Sequence, residues 1–120
     1  MQKIEKIFSF AKNSVMNVII EDKDLELLIN GISSKKYKKL AKDVRFMDKL
    51  HEVYTILLSQ PCVEKLLQFS NLRYEKLKYN YSGYSSIRIM NGRIERLIFT
   101  EHEGGITIKL IELNQTHYGN

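Results

Sequence analysis

A chain of 120 residues is long enough for one hydrophobic core and too short for two. Its 43% hydrophobic and 28% charged content excludes an intrinsically disordered segment. The formal charge of +5 favours polyanionic partners while saying nothing about fold, and the single cysteine, Cys62, excludes an internal disulfide and a thiolate metal cluster.

Met1 to Lys12 mixes charges throughout and lacks the uninterrupted apolar core of a signal peptide. No window reaches the length of a membrane-spanning helix, so the expectation is a cytoplasmic protein without a membrane partner. Ile4, Ile7, Phe8 and Ala11 fall at helical spacing and predict a short helix. Residues 1–15 thus read as an extension to a domain over residues 16–120. Met16 to Ile20 is β-branched and apolar, a first strand. After the acidic turn from Glu21 to Asp24, Leu25 to Ile29 suits a short helix stopped by Asn30-Gly31.

Ser33-Ser34 offers a cap for the next element. From Tyr37 the apolar positions Leu40, Ala41, Val44, Met47, Leu50, Val53, Tyr54, Leu57 and Leu58 keep a 3.6-residue period, predicting one long helix. Its opening turns carry Lys35, Lys36, Lys38, Lys39, Lys42, Arg45 and Lys49. Ser59-Gln60-Pro61 ends it, and Cys62 to Phe69 fits a second, shorter helix. Beyond Ser70-Asn71 the pattern alternates. Strands are expected over Leu72 to Tyr79, Ser85 to Met90, Ile94 to Thr100 and Ile106 to Leu113, with turns at Asn91-Gly92 and Gly104-Gly105. The order predicts an α+β domain, an N-terminal strand and helices packed on one face of a twisted antiparallel sheet.

Alternate strand residues share a face. Arg88 falls with Ser86 and Met90, and Arg96 with Ile94 and Ile98. A guanidinium inside a strand among apolar neighbours needs solvent or a partner. On one sheet Glu75, Arg88 and Arg96 would converge from three adjacent strands, with His117-Tyr118 just past the last strand to close the cluster. Cleavage of RNA by internal transesterification asks for such a set: a base for the ribose 2′-OH, an acid for the departing 5′ oxygen, and cations for the charge on phosphorus. Arginine suits the last task because its planar fork holds two phosphate oxygens at once. Tyr79, Tyr81 and Tyr84 could stack on bases. The plain alternatives are a cross-strand ion pair, a solvated lysine face over Lys35 to Lys42, a structural His51, a solvent-exposed His102, and the three tyrosines packed together at a sheet edge.

These segments resemble the RelE/ParE superfamily of bacterial type II toxins, nearer to its ribosome-dependent messenger-RNA endoribonucleases (RelE, YoeB, HigB) than to its gyrase poisons. The run from Glu75-Lys76-Leu77-Lys78 through Ser82-Gly83-Tyr84 to Arg88-Ile89 is similar to the YoeB-type pattern. Arg96-Leu97-Ile98-Phe99 is similar to the family's Arg-Leu-Val-Tyr strand, and His117-Tyr118 to its terminal His-Tyr. The helical segment from Lys35 also looks like HigB-type relatives.

The resemblance implies a RelE-like fold with Glu75 as general base and His117 as general acid. It implies Arg88 and Arg96 on the scissile phosphate, Tyr118 orienting the substrate, and Lys76 and Lys78 in support. The Asn91-Gly92-Arg93 turn looks longer than the family's, which leaves Arg93 in competition with Arg96. Lys38, Lys39 and Lys42 join the expected RNA contacts. The expected chemistry uses neither metal nor cofactor. The implied partners are a cognate antitoxin, the ribosome and mRNA, with the oligomeric state open. A gyrase inhibitor and a non-catalytic interaction module stand as alternatives.

Overall fold

The computed structural model describes residues 14–116, so the expected N-terminal helix, His117 and Tyr118 lie outside the described residues. The first strand, β1 (Asn17–Ile20), alternates exposed with half-buried residues and turns Val18 and Ile20 inward. Asp22 then caps α1 (Lys23–Ile29): one carboxylate oxygen accepts the Asp24 N–H at 3.0 Å, satisfying a donor the first helical turn leaves open. Helix α1 buries Leu25, Leu28 and Ile29, and Gly31, at φ +78°, takes the left-handed turn that leads the chain away.

The long helix expected from Tyr37 is two helices, α2 (Lys38–Ala41) and α3 (Val44–Ser59). Asp43 makes the break. Its backbone is extended and its carboxylate accepts the Phe46 N–H at 3.1 Å, a capping geometry that competes with continuation of the helix. The apolar period runs across this break because both helices face the same core. Helix α3 buries Phe46, Leu50, Val53 and Leu57, and His51 on its exposed side bonds the Ile29 carbonyl at 2.8 Å, the structural role expected of it. The expected helix after Pro61 is a 3₁₀ helix, Val63–Gln68.

A further 3₁₀ turn, Ser70–Leu72, shortens the next expected strand to β2 (Glu75–Lys76). Then come β3 (Ser85–Arg88), β4 (Arg96–His102) and β5 (Thr107–Asn114). The sheet order is β1-β5-β4-β3-β2. Pairing is antiparallel from β2 to β5, whereas β1 runs parallel to β5, so the sheet is mixed where an antiparallel one was expected. A bulge interrupts the β4–β5 ladder. Ile98 pairs with Glu112 but Phe99 with Leu110, leaving Ile111 as the extra residue.

One sheet face carries Ile87, Leu97, Phe99, Ile108, Leu110 and Leu113, all buried against the helices in a single core cluster. Each such side chain contributes about 1.5–3 kcal/mol by leaving water. Tyr37 ties the layers together. The residue is 1% exposed, and its hydroxyl donates to the second oxygen of Asp22 at 2.8 Å and accepts the Leu113 N–H at 3.1 Å. Burial, with Asp22 beside it, pushes the phenol's pKa upward, so it stays a neutral donor.

Candidate active site on the face opposite the helices

The strand register decides which side chains stand away from the core. Glu75 pairs with Ser86, Ser86 with Ile98, and Ile98 with Glu112, so these four form one row across four strands. One pleat along, Arg88 pairs with Arg96 and Arg96 with Asn114. Directly opposed residues share a face, so both rows lie on the side away from Leu97 and Phe99. Arg88 and Arg96 face each other at about 5 Å between Cβ atoms, and Glu75 is roughly 12 Å from Arg96 by strand spacing and rise. Long side chains span that gap around a phosphate group. Arg88 Nε and Arg96 Nη1 are both shut off from solvent, which strengthens their field on an anion. Ile98, 1% exposed and outside the main core cluster, is the apolar member of the first row.

Glu112 and Asn114 belong to this face although sequence reasoning did not single them out. The bulge at Ile111 explains it: strict alternation from Ile108 and Leu110 would aim Glu112 at the core, and one extra residue reverses the parity. Asn114 is a junction. Its amide donates to Glu112 Oε2 at 2.8 Å and to the Tyr81 hydroxyl at 3.4 Å, while its carbonyl accepts the N–H and hydroxyl of Thr116 at 2.9 and 3.2 Å. The Tyr81 contact brings the β2–β3 loop over this face. Tyr84 meets Tyr81 edge-on at 6.1 Å.

Arg93 is not brought to the rows. Its fork holds Glu95 through Nε at 3.0 Å and Nη2 at 2.9 Å, Nη1 reaches Asp43 at 2.7 Å, and the guanidinium lies over the Phe46 ring at 5.1 Å. Those contacts put it on the helical side of the sheet, locking the β3–β4 turn to the start of α3. The same bond from Arg93 holds the Asp43 carboxyl below its usual range. Lys76 also points to the helical side, 3.5 Å from Glu101, and Lys78 is exposed in the loop. Lys38, Lys39 and Lys42 are exposed in the helical layer, on or just after α2. His102 is half-buried where solvent exposure was expected, because Thr100 Oγ1 bonds its ring at 2.8 Å. It shares the face of Arg96 but stands six residues along β4, about 20 Å away, too far to share a phosphate.

A second polar cluster on the helical side also escaped sequence reasoning. Tyr74 and Ser85 hydroxyls both donate to Glu101 Oε2 at 2.5 Å. Burial would raise the Glu101 pKa, but the bonds from Ser85 and Tyr74 and the charge of Lys76 outweigh it and hold the carboxyl low. With three partners on one carboxylate, this is a satisfied cross-strand anchor. Among the described residues no group of three or more His, Cys, Asp or Glu is placed to hold a metal, and no helix is long and apolar enough to cross a membrane.

The two rows set two guanidiniums on one sheet face with a carboxylate at its edge. No protein-family profile matches the chain, and no curated protein sequence matches it. Among solved structures it is similar to YoeB in the heterotetrameric YoeB–YefM toxin–antitoxin complex of Staphylococcus aureus, at 22% identity over 88% of this chain and 100% of that one, TM-score 0.45. It is also similar to the YoeB dimer of the same organism, at 22% identity over the same shares, TM-score 0.47. A YoeB/ParE toxin from Agrobacterium tumefaciens aligns at 14% identity over 84% of this chain and 99% of that one, TM-score 0.48.

Proposed function

We propose that this chain is the toxin of a type II toxin–antitoxin system and a RelE-like endoribonuclease that cuts mRNA on the ribosome. The supporting observation is the register that sets Arg88 directly against Arg96 with Glu75 on the same face. Glu75 takes the proton of a ribose 2′-OH, and the oxygen attacks the adjacent phosphorus. The bond to the 5′ oxygen breaks, leaving a 2′,3′-cyclic phosphate and a 5′-hydroxyl. Arg88 and Arg96 hold the non-bridging oxygens as negative charge builds on them. His117 protonates the leaving oxygen and Tyr118 orients the substrate, roles that come from the sequence resemblance. Every role falls to a side chain, so the reaction proceeds without a metal.

A toxin of this kind is held inactive by a cognate antitoxin, and the exposed lysines from Lys35 to Lys49 favour acidic residues on that partner. The test expresses wild type beside Glu75→Gln, Arg96→Gln and His117→Ala, scoring growth arrest and mapping cut sites in cellular mRNA by primer extension. Each variant should lose cleavage, Glu75→Gln by about 10²–10⁴. Growth arrest with intact messages and a DNA-damage response would move the chain to the gyrase-inhibiting branch. Equal toxicity of all four proteins would sink the assigned site.

A further inference from the structure

We propose that Tyr79 is a stacking platform for an unpaired RNA base beside the reacting phosphate, an inference that rests on the endoribonuclease reading above. Three tyrosines occupy the β2–β3 loop, and the structure separates them. Tyr81 and Tyr84 pack against each other, and Tyr81 bonds Asn114 across the polar face. Tyr79 instead is 83% exposed, the most open of the exposed large hydrophobic residues described. Its backbone is left-handed as well, at φ +55°. A bulky residue pays for that conformation, and such strain gathers where function fixes a side chain's direction.

The loop that carries Tyr79 is firmly wound. Leu77 N–H bonds the Tyr84 carbonyl at 2.8 Å, closing it, and the N–H groups of Tyr81, Ser82 and Tyr84 bond the carbonyls of Lys78, Tyr79 and Tyr81 at 3.1, 3.0 and 3.0 Å. A ring on a rigid loop loses little freedom when a base lies on it. The loop starts from the strand bearing Glu75, and Tyr81, two residues after Tyr79, bonds Asn114 on the face of Arg96, so the loop that carries Tyr79 borders the proposed site. Exposed Lys78 stands beside it. An open aromatic ring next to a cation is the pairing that holds single-stranded RNA, the ring on the base and the cation on the backbone.

The test measures cleavage of a defined mRNA on purified ribosomes by wild type, Tyr79→Phe, Tyr79→Trp, Tyr79→Ala and Tyr79→Asn, with thermal melts of each. Asparagine tolerates the left-handed backbone, so it separates loss of the ring from loss of the loop should alanine unfold it. The Phe and Trp variants should stay near wild type. The Asn and Ala variants should lose about 5- to 150-fold in kcat/KM, the span of one stacked base. Tyr79→Asn cleaving as wild type overturns the proposal, as does Tyr79→Phe falling as far as Tyr79→Asn, which would put the effect in the hydroxyl. Wild-type cleavage with an antitoxin-binding defect alone in Tyr79→Asn would make the ring a protein contact and overturn it too. A wild-type protein that cuts no mRNA removes the endoribonuclease reading and this inference together, so the two failures are told apart.

Discussion

Arg88 and Arg96 occupy directly opposed positions on adjacent antiparallel strands. Like charges so placed cost stability, on the order of 0.2–1 kcal/mol for a cross-strand pair. A fold keeps such a pair when the field it creates is used. Arg96→Gln should therefore cut RNA about 10²–10³-fold more slowly while keeping a cooperative thermal transition. Adding inorganic phosphate should raise the melting temperature of wild type more than that of the variant. Equal stabilisation of the two proteins by phosphate would take Arg96 out of the anion site.

Arg93 gives the opposite pattern. Its fork joins Glu95 to the capping residue Asp43 and covers Phe46. Arg93→Ala should lower the urea midpoint of unfolding and leave cleavage per folded molecule unchanged. A normal midpoint with lost cleavage would return Arg93 to the substrate.

Tyr37→Phe removes one oxygen and nothing else. The Leu113 N–H then loses its acceptor in a buried position, and Asp22 loses a donor. Leaving such a group unsatisfied costs about 1–3 kcal/mol. Urea unfolding should report that loss with an unchanged slope. Because Leu113 sits between Glu112 and Asn114 on β5, cleavage should fall modestly as well.

Stability should decline in acid through three carboxyls. Glu101, despite its burial, is held low by Ser85, Tyr74 and Lys76. Asp22 is likewise lowered, Tyr37 and Lys36 overcoming the effect of burial, and Asp43 is lowered chiefly by Arg93. Each binds its proton more weakly folded than unfolded, so its contribution is full above the ordinary carboxylate pKa of about 4 and is lost as pH falls through the lower folded value. Melts across that range should show the decline, and Tyr74→Phe should flatten it. A profile identical in wild type and Tyr74→Phe would remove Glu101 from the account.

The α+β class and the shared sheet face of Glu75, Arg88 and Arg96 were legible because period-2 alternation fixes faces without knowledge of the helices. Asn91-Gly92 placed the β3–β4 reversal for the same local reason. What stayed hidden depends on partners distant in sequence. Asp43 reads as one more polar residue in a helical period until its carboxylate meets Phe46 N–H and Arg93. The parallel pairing of β1 with β5 joins residues some ninety positions apart, for example Asn17 with Thr107. Glu112 was invisible because a bulge leaves no signature in an alternating apolar run, yet one residue of slippage moved a carboxylate from core to surface.

The pleat acts as a partition, with oily packing behind it and charged chemistry in front. Register places Glu75, Arg88 and Arg96 on the front, away from the side chains of the main core cluster. An inactivated version should thus keep its shape and its capacity to be captured by a neutralising partner. Under the proposed function, that would let the toxin be produced in quantity as a harmless double of itself.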